Sequence, residues 1–96
     1  MKEIHLEPTK NTLKIDCAPG QISLSGNSIL SNPEKFFAPI SDWMEKYVQE
    51  PADMTQVQLR FDYIDTASVH FILNLLKILK HIPDYESRVS VNWFFE

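Results

Sequence analysis

The residues best suited to chemistry are Asp65-Thr66-Ala67-Ser68, which join a predicted strand to a predicted helix. The first backbone N–H groups of a helix lack partners within the helix, and the helix dipole makes this end positive, so the junction favours an anion. Either Asp65 or Thr66 could cap the helix, which is worth about 1 kcal/mol. A phosphate on Thr66 would also suit this position. The residues alone favour the cap, and both roles can coexist if the other residue faces outward.

Two regular elements position this junction. The preceding stretch alternates between apolar and polar residues as a pleated strand does, and its apolar members are Val57, Leu59, Phe61 and Tyr63. A strongly apolar helix follows, from about Thr66 to His81, and it should bury most of its surface against the sheet, a second helix or a partner. Its polar residues form one narrow, solvated stripe, which consists of His70, Asn74, Lys77 and His81.

The N-terminal half of the chain predicts three strands and one helix. Residues 4–6 alternate as a short strand, and residues 12–25 form a hairpin around Pro19-Gly20, because Pro fixes its φ angle and Gly accepts a positive one. Asn32 is a good helix N-cap, and the helix should end before Pro51. Pro39 lies inside this helix, so the helix either kinks there or becomes regular only after it.

A final strand from Arg88 to Phe95 completes the order β-β-β-α-β-α-β. Strand–helix–strand connections place their strands parallel, so the last three strands should run in one direction. We therefore predict an α/β fold of the α+β sandwich type, with a mixed sheet of about five strands and both helices on one face. Trp43 and Trp93 should lie in the core. Gly26 to Asn32 should lie beside Asp65, at the rim where α/β domains usually bind ligands or partners.

Composition narrows the class of protein. The 96 residues suit one domain, residues 1–96, and the net charge of −4 argues against nucleic-acid binding. Cys17 is the only cysteine, which excludes an internal disulfide and favours a small buried side chain. We find no signal peptide and no stretch near the ~20 apolar residues of a membrane span, so we expect a cytoplasmic protein without membrane association.

The sequence gives little support to catalysis. It contains no HExxH motif, no Gly-rich phosphate loop and no nucleophile elbow, and both His70 and His81 fit the solvated stripe. We therefore predict no catalytic residue, no metal site and no cofactor, and we do not expect an enzyme. A second alternative is a structural subunit whose apolar second helix packs in a permanent complex without any switch.

Five stretches match a known family. They are LKID at 13–16, GNSILSNPEKFFAPISDWMEKY at 26–47, LRFDYIDTAS at 59–68, LLKIL at 75–79 and VNWFFE at 91–96. Through them nearly the whole chain resembles the SiaC family of small bacterial regulatory phosphoproteins, which act much as STAS-type anti-sigma-factor antagonists do. The second stretch and the strand–Thr–helix junction are specific together, whereas the others are general α/β patterns.

The resemblance implies a STAS-like fold and a phosphorylation switch at Thr66, which matches the family's threonine at the start of the helix. A cognate serine/threonine kinase would add the phosphate, and a PP2C-type phosphatase would remove it. The unphosphorylated form would bind and activate a partner, which in the best-known systems is a diguanylate cyclase of cyclic di-GMP and biofilm signalling. An anti-sigma-factor antagonist in partner switching is the alternative.

The predicted partner surface surrounds Thr66 at the rim. It consists of Asn27, Ser28, Asn32, Asp65, Ala67, Ser68 and His70. The chain departs from the family pattern at Asp65 and Ala67, where Asn and Ser are expected, and at His70, where Lys is common. Asp65 places a carboxylate directly beside any phosphate on Thr66.

Overall fold

The computed structural model describes residues 2–95, which form five strands and three helices. In chain order these are β1 (Ile4–Leu6), β2 (Lys14–Ala18), β3 (Gln21–Ser28), α1 (Pro33–Tyr47), β4 (Thr55–Ile64), α2 (Thr66–Leu79), α3 (Tyr85–Arg88) and β5 (Val89–Phe95). The predicted order is confirmed with one addition, the four-residue helix α3. A single helical turn is too short to show a 3.6-residue period, which is why the sequence did not reveal it.

The five strands form one mixed sheet in the order β1-β2-β3-β4-β5. β1, β2 and β3 pair antiparallel, whereas β3, β4 and β5 run parallel as predicted. Both long helices pack against one face and against each other, and their buried residues share a core with the inward side chains of β2, β3 and β4. The opposite face is largely polar, with Gln56, Arg60 and Asp62 exposed. No helix within residues 2–95 is long and apolar enough to cross a membrane.

Helix α1 begins where the sequence predicts. The side-chain oxygen of Asn32 accepts a hydrogen bond from the Lys35 amide at 3.3 Å, and Pro33 occupies the first turn. The helix is continuous through Pro39, so it is already regular before this residue.

The end of α1 is tied to its surroundings by one buried hydroxyl group. Tyr47 Oη accepts hydrogen bonds from the Gly20 amide at 2.9 Å and from the Ala52 amide at 3.2 Å, and it lies 2.7 Å from Thr55 Oγ1. A hydroxyl offers two lone pairs and one proton, so with both amides donating to it, Tyr47 must donate to Thr55. The β2–β3 turn, the α1–β4 connection and the start of β4 therefore meet at this atom.

The two tryptophans differ in burial. Trp43 is 5% exposed, stacks on Tyr47 at a ring separation of 4.9 Å, and donates its indole N–H to the Lys2 carbonyl. Trp93 lies on the predicted inward face, opposite Leu59, and contacts Phe61 edge-on at 5.8 Å. It is nevertheless 39% exposed, so the prediction of a buried Trp93 is wrong. Because β5 is an edge strand of the sheet, no other strand of residues 2–95 lies along one flank of the indole.

A register shift changes the end of the β3–β4 pair. Gly26 pairs with Phe61 but Asn27 pairs with Tyr63, so Asp62 is an extra residue on β4. Gly26 has a φ of 106°, which favours glycine. After the bulge the side chains of β4 change faces, since one extra residue turns every following side chain of that strand to the other side of the sheet. Tyr63 is therefore 56% exposed instead of facing inward with Phe61.

Candidate functional site

Asp65 holds together the segments that meet after β3 and β4. Its backbone is extended, and its Oδ1 accepts a hydrogen bond from the Ser68 amide at 2.8 Å, which caps α2. Its Oδ2 accepts from the Leu30 amide at 3.0 Å, and its own amide donates to the Ser28 carbonyl at 3.0 Å. The segment 26–32 and the β4–α2 junction are therefore adjacent. Of the two possible caps, Asp65 performs the role.

The hydrogen bonds around Asp65 also affect its ionisation. The Ser68 hydroxyl lowers the pKa of the Asp65 carboxyl most, and the Ser68 and Leu30 amides lower it further, whereas partial burial acts in the opposite direction. These donors favour the charged form because each points a positive hydrogen at the carboxylate. The rim therefore carries a fixed negative charge at neutral pH.

Two predicted site residues lie inside the protein. Ser28 and Ser68 are completely buried, and the Ser28 hydroxyl donates to Ser68 Oγ at 2.7 Å. Their predicted direct contact with a partner does not agree with this burial; instead they join the end of β3 to the first turn of α2. The sequence held a signal for Ser68, since it shares the helical spacing of the buried residues Ile72, Leu75 and Leu79.

The remaining predicted residues lie at or near the surface. Thr66 is the first residue of α2; its side chain is exposed, and its hydroxyl takes part in no hydrogen bond among residues 2–95. Ala67 and His70 are exposed on the same helix. Asn32 is exposed while capping α1, and half-buried Asn27 donates its side-chain amide to the Lys10 carbonyl at 3.3 Å. We call the exposed set Asn32, Thr66, Ala67 and His70, together with Asp65, the Thr66 rim.

Leu30 lies in the predicted rim segment 26–32, but sequence reasoning did not identify its backbone amide as a partner of Asp65. A backbone donor has no side-chain signature, and only the fold brings it to the carboxylate. Ile29, in the same segment, was not named singly as a contact residue, yet it is exposed on the loop that this contact fixes.

The other titratable side chains of residues 2–95 do not form a metal site. Within residues 2–95 no cluster of three or more His, Cys, Asp and Glu side chains could hold a metal ion. His5 Nδ1 lies 2.7 Å from Asp16 and its Nε2 lies 2.8 Å from Glu3, contacts that raise the pKa of His5 on the distant strand β1. Burial raises the pKa of the Cys17 thiol to about 12, so Cys17 is a core side chain and not a nucleophile at neutral pH.

Asp65→Ala should lower the free energy of unfolding by about 1–2 kcal/mol, because it removes a helix cap and an acceptor for the Leu30 amide. The folded-state pKa of Asp65 is depressed, so its contribution is present above the unfolded value of about 3.9 and is lost as the pH falls through the folded-state pKa. Urea denaturation from pH 7 to pH 2 should therefore show the difference from wild type narrowing below about pH 4.

Asp62→Ala is a suitable control because this carboxylate is exposed near the end of β4, three residues before Asp65, and its effect should stay within about 0.5 kcal/mol. A difference between wild type and Asp65→Ala that is constant across the pH range would contradict the role of the charged carboxylate.

Comparison with known proteins places this site in context. The family described as SiaC family regulatory phosphoprotein matches residues 4–96. An uncharacterised protein of Pseudomonas aeruginosa (strain UCBPP-PA14) is 26% identical over 98 residues, which cover 100% of this chain and 78% of that protein.

Solved structures of SiaC from Pseudomonas aeruginosa share the fold. Apo-SiaC of Pseudomonas aeruginosa has a TM-score of 0.86 at 25% identity, covering 97% of this chain and 78% of its own. SiaC in complex with the diguanylate cyclase SiaD, which it activates, has a TM-score of 0.83 at 25% identity, covering 94% of this chain and 75% of its own.

These matches confirm the resemblance found in the sequence and the α+β architecture with a five-stranded mixed sheet. SiaC is an activator that acts on the enzyme SiaD and is not itself the enzyme of that complex. With the family matched from residue 4 to residue 96, this chain belongs to the SiaC family of regulatory phosphoproteins.

Proposed function

We propose that the chain is a partner-binding regulator controlled by phosphorylation of Thr66. A serine/threonine kinase adds the phosphate and a PP2C-type phosphatase removes it. The unphosphorylated form binds and activates a diguanylate cyclase through the Thr66 rim. The observation that carries this proposal is the division of roles at the junction: Asp65 caps α2, which leaves the Thr66 hydroxyl exposed.

The position of Thr66 suits a reversible charge. A phosphate at the first residue of α2 meets the positive end of the helix dipole, which favours it locally. The neighbouring Asp65 carboxylate opposes it, because the two groups have the same sign. The modified rim would carry roughly −3 charges in place of −1, a change that a partner surface can detect.

The cyclase is the partner class that the comparisons support, since SiaC of Pseudomonas aeruginosa forms a complex with the diguanylate cyclase that it activates. A permanent structural subunit is less suitable. The outward face of α2 carries the exposed polar residues His70, Asn74 and Lys77, and His81 follows just after the helix. Leu73 is an exposed apolar residue on this face, and a single side chain of this kind does not require a constant apolar cover.

The test is transfer of labelled phosphate by the cognate kinase. Wild type should be labelled on one residue, Thr66→Ala should show no labelling, and added PP2C-type phosphatase should remove the label. Ser31→Ala is the matched control, because Ser31 is another exposed hydroxyl on the loop before α1, and it should be labelled as wild type is.

Equal labelling of wild type and Thr66→Ala would refute the assignment. Labelling at Ser68 would also refute it. A kinase could reach the buried Ser68 hydroxyl only after the hydrogen bond between Ser28 and Ser68 breaks.

A further inference from the structure

The two edges of the sheet are protected to very different degrees. β1 has only three residues, lies between Glu3 and Glu7, and is followed by Pro8. Short length, charge and proline are the usual means by which a sheet edge avoids pairing with another chain. β5 has seven residues without charge or proline, and it pairs with β4 in unbroken register. Among residues 2–95 no strand covers the outer side of β5.

Apolar surface is concentrated on this unprotected strand. Trp93 on the helix-covered side is 39% exposed, and Phe94 on the polar side is 56% exposed. Phe94 pairs with Arg60 of β4 on one flank only. An uncharged edge strand with aromatic residues exposed on both faces is a template for addition of another strand.

We propose that β5 pairs antiparallel with β5 of a second copy of this chain. The full seven-residue overlap is centred on Asn92, which then lies opposite the Asn92 of the other copy. In this register Val91 lies opposite Trp93, and Ser90 lies opposite Phe94. Each exposed aromatic ring thereby gains a neighbour on its own face, and β-branched–aromatic cross-strand pairs of the Val91–Trp93 type are stabilising.

Symmetry favours a second copy as the occupant. Each chain carries a net charge of −4, which opposes association, but the uncharged strand β5 brings no like-charged side chains together. A two-fold axis requires a patch that complements itself, and the Asn92-centred register fulfils this requirement. The other edge does not fulfil it, since pairing two β1 strands would bring Glu3 and Glu7 of both copies together.

The pairing leaves the proposed binding surface free. Antiparallel pairing forms a ten-stranded sheet with the helices of both copies on the same face. It places the Thr66 rims of the two copies at opposite ends of the strands. The dimer would present two separate Thr66 rims and could engage two partner chains at once.

Sedimentation velocity over a range of concentrations tests the proposal. Wild type should shift from the monomer mass to twice that mass as its concentration rises. Asn92→Lys places two like charges opposite each other on the two-fold axis and should raise the dimer dissociation constant roughly tenfold or more, and Asn92→Asp should act in the same way. An equimolar mixture of the two variants should dimerise again, because Lys then faces Asp.

Gln56→Lys is the control, because Gln56 is exposed on the same polar face but lies on the internal strand β4, and this variant should dimerise as wild type does. Circular dichroism confirms that each variant is folded, and Asn92→Asp alone serves for the test if Asn92→Lys unfolds. Wild type that stays monomeric up to about 1 mM, a dimer unaffected by Asn92→Lys, or a mixture that stays monomeric would each overturn the proposal.

Discussion

Replacing Trp43 by alanine should lower the free energy of unfolding by about 3–5 kcal/mol, a large part of the 5–15 kcal/mol of an ordinary domain. Trp43 is 5% exposed, so the substitution opens a cavity between α1 and the N-terminal segment. It also removes the ring that stacks on Tyr47 and the donor that satisfies the Lys2 carbonyl. Urea denaturation followed by circular dichroism measures the loss.

Trp93→Ala is the matched comparison, because it deletes the same side chain from a half-open position on β5. Its loss should be about 1–2 kcal/mol, since much of the indole already contacts water. Both variants are measured at a concentration too low for pairing through β5. Equal losses for the two variants would mean that the edge position of Trp93 is wrong.

Phosphorylation of Thr66 should weaken binding of the diguanylate cyclase about 100-fold or more, because like charges brought together in a desolvated contact cost several kcal/mol. Thr66→Glu should weaken binding only about tenfold, since one carboxylate carries less charge than a phosphate. Titration calorimetry of each form with the purified cyclase measures the dissociation constants.

Thr66→Gln is the appropriate neutral control, because it has nearly the shape of Glu without the charge, and it should bind nearly as tightly as wild type. Asp65→Asn is less suitable for removing charge from the rim. The single side-chain oxygen of Asn could face only one of the Leu30 and Ser68 amides, and its NH2 group would face the other, where Asp65 now supplies an acceptor. If Thr66→Glu and Thr66→Gln bind the cyclase equally, charge at this rim does not control the interaction.

Local signals were sufficient for most of the elements. Pro19-Gly20 marks the β2–β3 turn, Asn32 and Asp65 mark the two helix caps, and the period of each apolar pattern separates strands from helices. The parallel order of the last three strands follows from the α connections between them. The resemblance to the SiaC family, and with it the choice of Thr66 as candidate site, came from the same sequence.

The errors concern non-local features. The exposure of Trp93 depends on β5 being at the edge, which no pattern within residues 88–95 reveals. The exposure of Tyr63 depends on a bulge that arises only when β3 and β4 pair. The burial of Ser28, by contrast, continues the alternation of the buried residues Ile22 and Leu24 on β3. The contact between Asp65 and the Leu30 amide joins residues far apart in sequence. The STAS likeness, the kinase and the phosphatase stay predictions.

The order of strands in the sheet is also the order in which the ribosome makes them. After the β2–β3 hairpin forms, each new strand of the nascent chain needs only to join the edge that its predecessor exposes, and no strand has to be inserted between two others. The edge of the growing sheet that is free to pair therefore moves from β3 to β4 and then to β5. Within residues 2–95 β5 is the last strand to join, and it carries exposed aromatic surface at Trp93 and Phe94, so molecules emerging close together on one messenger RNA would meet first at this strand.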